Sequence, residues 1–366
     1  MAHLKVGFIG LGLIGGSIAR AIKYFYPDSV IIAHSRSLET LKYALSEHII
    51  DHAYDAVDSA YTDCDYIFLC APVEVNAAYL KELKPLLSEH CILTDVGSTK
   101  TDIHEKVKAL GIQKNFIGGH PMAGSEKTGL VNAKRILIEN AYYVITPSDE
   151  VSADMVNQYK DFIGSLGALP LILNYHEHDY VTAVISHLPH IIAATLVNLV
   201  KDSDNPNGTM RTVAAGGFKD ITRIASSSPE MWEQICTTNK ENIVTALEHY
   251  IAHLEAAKTT LVQATGGAPI YALFNEAKEY RDALSDASRG SLPNVFSIYC
   301  DLLDETGGIA AVATILATNS INIKNIGIVH NREFEEAVLH IEFYEHAAML
   351  KAATLLRKHH YTVYKR

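Results

Sequence analysis

The sequence is short of what several protein classes require. It has five cysteines in 366 residues, Cys64, Cys70, Cys91, Cys236 and Cys300, and no CxxC pair. An odd, scattered set supports neither a disulfide framework nor a zinc knuckle, so reduced and mostly buried thiols are expected. Basic charge is scarce too: 31 Lys and Arg stand against 42 Asp and Glu, a formal net charge of −11. Nucleic acid needs a basic footprint and is excluded as a bulk partner. No N-terminal segment joins a basic start to an apolar core and a small-residue cleavage site, so a cytoplasmic protein is expected. What remains is an ordinary globular composition over a length that suggests two or three domains.

An apolar run, Leu4 to Ile9, leads straight into Gly10-Leu11-Gly12-Leu13-Ile14-Gly15 and then a helical segment. In that setting Gly10 turns the chain, Gly12 admits a pyrophosphate and Gly15 lets helix and strand pack closely. The backbone of Leu13 and Ile14, at the helix start, adds free N–H groups and partial positive charge. Apolar strands at 29–33, 66–70 and 91–95 alternate with amphipathic segments, which predicts an α/β Rossmann-like, doubly wound parallel domain over 1–165. Where strand two ends, an acid usually holds the cofactor ribose, but this chain has Ser35 and Arg36. Arg36 could pair with a 2′-phosphate, which leans toward NADP, or stack on adenine in either cofactor. Pro72 opens a helix and could border the adenosine. Asp95-Val96-Gly97-Ser98-Thr99-Lys100 is a polar loop on the same sheet edge, with Asp95 and Ser98 as candidate cofactor contacts. Ser98 could reach both nicotinamide and the next candidate, or simply cap a helix.

That candidate is His120. The stretch Gly118-Gly119-His120-Pro121-Met122-Ala123-Gly124-Ser125-Glu126-Lys127-Thr128-Gly129 follows apolar Phe116-Ile117, read as a strand end. A loop there would present His120 to the crevice where open α/β sheets bind ligands. A glycine-rich turn with a capping histidine is the alternative.

Residues 166–285 read as an all-α domain. Asp179 to Lys201 is a long apolar helical run in which Pro189 should kink or split the helix beside His187 and His190. Its histidines, serine and proline speak against a membrane span, and the His-x-x-His pair lacks a third ligand, so no metal is expected. The two imidazoles are either satisfied core groups or substrate contacts. Arg223 suits a substrate carboxylate, with Lys219 and the single tryptophan, Trp232, nearby; a surface pairing with Asp220 or Glu230 is the alternative. Ile243, Leu247, Tyr250, Leu254, Ala257 and Leu261 form an a/d seam, and a homodimer is expected through it. After a polar linker, residues 291–366 follow a βαββαβ order, a small ferredoxin-like α+β domain.

Taken together, the GxGxxG opening, the 95–100 and 118–126 segments, Ser186-His187-Leu188-Pro189-His190 and 217–225 resemble prephenate dehydrogenase. The tail resembles the ACT domain that some members carry. The resemblance implies oxidative decarboxylation of prephenate to 4-hydroxyphenylpyruvate in tyrosine biosynthesis, with hydride passing to NAD, or to NADP as the alternative. It implies that His120 takes the ring hydroxyl's proton, Ser98 orients His120, and Arg223 holds a substrate carboxylate. His190, His187, Trp232, Ser125 and Glu126 would line the pocket. It also implies L-tyrosine as an allosteric effector, bound between the Asp304 to Gly308 turn and Asn322-Ile323. Arogenate dehydrogenase is the nearest rival; a nucleotide-sensing regulator without turnover is a more distant one.

Overall fold

The structure, a computed structural model, describes residues 4–124, 127–287, 296–302, 307–329 and 337–364. Ser125, Glu126 and Asp304, three of the expected site residues, lie outside them. Two compact units divide the chain, Met1–Gln263 and Ala264–Arg366. The nucleotide-type and helical segments therefore share one unit.

The first unit opens with β1 (Lys5–Ile9), α1 (Leu13–Phe25), β2 (Val30–His34), α2 (Leu38–Ser46), β3 (His52–Tyr54), β4 (Tyr66–Leu69), α3 (Val73–Leu83), β5 (Ile92–Asp95) and α4 (Thr101–Leu110). All five strands run parallel in the order β3-β2-β1-β4-β5. Apolar side chains cover both faces: Phe8, Ile18, Ile31 and Phe68 on one, Ile9, Ile32, Leu69 and Leu93 on the other. Burial on both sides is why these strands read as continuous apolar runs.

The glycine fingerprint is built as its spacing predicts. Gly10 has φ +88°, and a Cβ there would lie 2.9 Å from the Ala71 backbone nitrogen. A Cβ on Gly15 would meet Cys70 at 2.9 Å, whereas one on Gly12 would meet nothing within 4 Å. The turn and the packing glycine are thus filled by protein, and the middle one faces open space. No side chain caps α1 and no acid lies in its first turn, so its first N–H groups remain for an anion.

Beyond α4 the chain forms β6 (Ile117–Pro121), β7 (Tyr142–Pro147), α5 (Ala153–Ser165) and β8 (Leu169–Ile172), a second sheet ordered β6-β7-β8. The doubly wound parallel arrangement holds for the first five strands and does not extend to this second sheet. β6 and β7 are antiparallel, because only loops and short 3₁₀ turns connect them and no crossover helix reverses the chain. A parallel bridge, Leu93 to Phe116, joins this sheet to the first.

The expected loop at His120 is corrected too, since His120 lies within β6, opposite Val144. Its glycines serve close packing. A Cβ on Gly119 would fall 2.6 Å from the Tyr143 hydroxyl and 2.7 Å from the Asp95 carbonyl oxygen, so β5 and β7 can approach only a bare backbone. Gly119→Ala should therefore cost about 1–3 kcal/mol of stability and lower turnover by displacing His120. Thermal denaturation and activity measured on the same preparation check this.

The helical part of the unit comprises α6 (Tyr175–Thr182), α7 (Leu188–Ser203), α8 (Thr209–Val213), α9 (Gly216–Thr222), α10 (Pro229–Thr238) and α11 (Lys240–Gln263). Pro189 neither splits nor ends the long helix. It sits in the first turn of α7, and the chain runs helically from Tyr175 to Ser203 through a π-helical turn at Ala183–His187. The wider turn accommodates the hydrogen bond that proline cannot donate. By length and composition this helix could cross a membrane, but two of its residues, His187 and His190, line the cavity described below. On α11, Ile243 and Ala246 are buried, whereas Leu254 is 51% and Leu261 58% exposed. The end of the seam is thus exposed among the described residues of its unit.

The second unit contains α12 (Ala268–Ala287), which the sequence had grouped with the helical domain, then β9 (Phe296–Leu302), α13 (Gly308–Thr318), β10 (Ile323–Val329), β11 (Ala337–Phe343), α14 (His346–Lys358) and β12 (Val363–Tyr364). The antiparallel order β10-β11-β9-β12 is the ferredoxin-like one, cored by Ile298, Leu316, Ile341 and Leu356. The expected effector pocket requires correction. Gly308 begins α13 and Asn322-Ile323 follow its other end, roughly 16 Å away at 1.5 Å per residue over its 11 residues. One copy of the unit cannot close both around a small molecule.

Candidate active site

Two cavities open at the carboxyl ends of the first unit's strands. The smaller, about 260 Å³, is bordered by Gly10 and Gly12 after β1, Ser35 and Arg36 after β2, and Pro72 after β4. His34 and Tyr79 wall it; the Tyr79 hydroxyl donates to His34 Nε2 at 2.9 Å, and His34 Nδ1 donates to the Tyr54 carbonyl at 3.0 Å. Among the described residues lining it, none is acidic. Leu13 and Ile14 are not in its lining and can contribute only through the α1 N-terminus; Gly15 is buried behind it.

The larger cavity, about 690 Å³, brings together Ser98, His120, His187, His190, Arg223 and Trp232. Six residues spread over 135 positions of sequence converge because β5 and β6 end where the π-helical turn and α10 pack. Two expected members are elsewhere. Lys219 is exposed on α9 and does not line the cavity. Asp95 is corrected from cofactor contact to internal support: it is buried, ion-paired with the fully buried Lys100, and accepts the Gly97 N–H at 2.9 Å and the Gly119 N–H at 3.3 Å. Lys100 also donates to the Gly119 carbonyl at 2.7 Å, so this pair clamps the strand that carries His120.

His120 is held differently from expectation. Its Nδ1 lies 2.8 Å from His178 Nε2, and His178 Nδ1 lies 2.9 Å from Asp179 Oδ1. The His120 ring is thus tied to His178, and Ser98 lines the same cavity. Burial, helped by His178, Lys100 and His187, holds the His120 pKa well below the usual imidazole value. Burial likewise lowers His187 to about 4, against the opposing pull of Asp179. The Asn239 amide donates to the Asp179 carbonyl at 2.7 Å and to His187 Nδ1 at 3.2 Å, leaving the His187 proton on Nε2. His190 Nδ1 donates to the Ser186 carbonyl at 2.9 Å, and its ring lies 4.0 Å from that of Trp232. Burial, then the Arg223 charge, lowers its pKa against the Ser186 bond. The site therefore offers three neutral imidazoles with defined polarity and a guanidinium at its edge.

Sequence reasoning missed His178, Asp179, Asn239 and the structural use of Lys100. The available signal was a His-Asp pair at the head of an otherwise apolar helix. Among the described residues, no group of three or more His, Cys, Asp or Glu side chains is placed to hold a metal ion.

The chain matches the prephenate dehydrogenase nucleotide-binding domain over residues 18–170 and the prephenate dehydrogenase dimerization domain over 174–272. It is 40% identical to the prephenate dehydrogenase of Bacillus subtilis, over 91% of this chain and 90% of that one. The chain belongs to the prephenate dehydrogenase family. It is an NAD-binding oxidoreductase of the decarboxylating type that the family represents. Among solved structures it resembles prephenate dehydrogenase from A. aeolicus in complex with hydroxyphenyl propionate and NAD+, with a TM-score of 0.71 and 29% identity over 78% of this chain and 99% of that one. It also resembles Synechocystis arogenate dehydrogenase, with a TM-score of 0.69 and 30% identity over 77% and 100%.

Proposed function

We propose that the protein oxidises prephenate to 4-hydroxyphenylpyruvate and CO₂, with His120 as the base and Arg223 as the carboxylate clamp. The observation that supports this reading most is the neutral, buried His120 in one cavity with Arg223. When bound, the oxidised nicotinamide supplies the hydride acceptor. Gly12 leaves open space for its pyrophosphate at the uncapped start of α1, and Ser35, Arg36 and Pro72 border the adenosine end. His120 takes the proton of the ring hydroxyl as hydride leaves the same carbon. The ring carboxylate is then lost as CO₂, its bonding pair enters the ring, and the new phenolic oxygen recovers the proton. Arg223 holds a substrate carboxylate while His187, donating from Nε2, and His190 orient the remainder. Trp232 closes one wall, and Ser98 meets the nicotinamide end. Ser125 and Glu126, outside the described residues, follow the same segment in sequence.

Finer readings go with this. Arogenate, differing by an amino group in place of the keto oxygen, offers Arg223 the same carboxylate, and the likeness to the Synechocystis enzyme keeps it as the alternative substrate. The acid-free lining beside Arg36 makes NADP the alternative cofactor. The exposed seam of α11 supports a homodimer, and the ferredoxin-like order of the second unit supports an ACT-type domain with L-tyrosine as its effector. The enzyme works in the cytoplasm. The deciding assay follows nicotinamide reduction with prephenate or arogenate, each with NAD or NADP, with and without millimolar L-tyrosine. Reduction coupled to CO₂ release is expected with prephenate and NAD, with loss of rate in tyrosine. Nucleotide binding without turnover would overturn the enzyme reading.

A further inference from the structure

We infer that Asp179 and His178 are positioning residues that hold His120 in the one tautomer able to accept the substrate's proton. The inference rests on His120 being the base.

The carboxylate fixes the polarity of the whole line. Asp179 is wholly buried and takes the backbone N–H of Lys100 on Oδ1 and that of Thr101 on Oδ2, both at 2.7 Å. Burial pushes its pKa up, but the bonds from His178 and Thr101 outweigh that and leave it lowered, so the group is an anion that only accepts. The nearby His178 Nδ1, at 2.9 Å, must therefore carry a hydrogen. Burial keeps the wholly buried His178 ring neutral against the pull of Asp179, which leaves Nε2 as an acceptor. His120 Nδ1, 2.8 Å away, must then donate. The consequence is a bare lone pair on His120 Nε2.

Without the carboxylate the same geometry fits the opposite polarity. His178 could carry its hydrogen on Nε2 and donate to His120, which would then hold its own hydrogen on Nε2 and present a donor to the substrate hydroxyl. The groups packed around His120 sharpen the requirement. His178 on α6, Lys100 ahead of α4 and His187 in the π-helical turn all disfavour a cation there, and the Lys100 charge is largely answered by Asp95. Among the described residues, the anion aligned with the His120 ring through a hydrogen bond is Asp179, by way of His178. The positive charge that develops on proton uptake is stabilised along that line, with no direct contact between Asp179 and substrate.

The experiment compares His120→Asn, Asp179→Asn, His178→Phe and His178→Gln in the full chain. It measures kcat and KM from acid to alkaline pH, thermal stability, and the ¹⁵N resonances of labelled histidines. Asp179→Asn and His178→Phe should lose about 10²–10⁴-fold in kcat with KM little changed. His178→Gln, whose amide oxygen can accept the His120 hydrogen, should recover at least about tenfold of that loss. In Asp179→Asn the His120 Nε2 resonance should move from the unprotonated to the protonated type. A merely structural role would lower stability without that change of tautomer. Wild-type kcat in His178→Phe, or an unchanged His120 tautomer in Asp179→Asn, would overturn the inference while leaving the base role standing. Wild-type turnover in His120→Asn would remove the base role and this inference with it.

Discussion

Replacing His120 with asparagine should reduce turnover by about 10²–10⁴-fold while leaving KM near its wild-type value. Asparagine can preserve a hydrogen bond to His178 and most of the volume in β6, so the cavity and its guanidinium should survive. What it cannot do is take a proton. The loss should appear in kcat because proton acceptance is needed only as the hydride departs, not in the bound ground state. The pH dependence of the unmodified protein provides a second check on the same group. As the proposed base His120 must be neutral, and burial first, then the neighbouring His178, Lys100 and His187, hold its pKa well below 6.5. A lowered pKa extends the neutral form to lower pH. The acid limb of kcat/KM assigned to this group should therefore lie below pH 6.5, and a limb at an ordinary imidazole value would point to a different base.

Arg223→Ala should act mainly on binding. The residue begins a 3₁₀ turn, Arg223–Ser226, and is exposed at its cavity edge, so its charge is partly screened by water before substrate arrives. A charge-assisted pair of hydrogen bonds to carboxylate in that position is worth about 1.5–3 kcal/mol, which corresponds to a rise in KM of roughly 10- to 200-fold. Arg223→Lys should recover only part of this, because an ammonium cannot present two parallel donors. His190, whose pKa Arg223 helps to lower after burial, should titrate at higher pH once the guanidinium is gone. Steady-state kinetics of the two variants checks the clamp; a changed kcat at constant KM would assign Arg223 to the chemical step instead.

The fingerprint glycines were legible because each answers a local demand. Gly10 needs positive φ, Gly15 needs contact with Cys70, and Gly12 faces open space. His120, Arg223 and the helical histidines could be picked out as candidates because a polar side chain within an apolar or glycine-rich run demands a reason. The same rule should have drawn attention to His178 and Asp179. What misled was the identical appearance of two uses of glycine. Gly118 and Gly119 look like a flexible loop, yet they form a strand whose neighbours, the Tyr143 hydroxyl and the Asp95 carbonyl, come from distant parts of the chain. Asp95 misled for a related reason: an acid after a strand reads as a ligand contact until Lys100, five residues on, is seen folded back onto it.

The amino-acid order by itself determined the parallel nucleotide fold, the helical segment that follows and the ferredoxin-like unit, since hydrophobic period and glycine placement are local properties of a chain. It also singled out His120 and Arg223, which the fold brings into one cavity. Only the tertiary structure decided which nitrogen of each histidine bears a proton, which acid is spent on a buried lysine, and that the two halves of the expected effector site stand at opposite ends of one helix. Those outcomes depend on hydrogen bonds between residues as far apart as His120 and His178, or on the length of helix separating two residues. Such relations are set by packing in three dimensions and leave no periodicity to read.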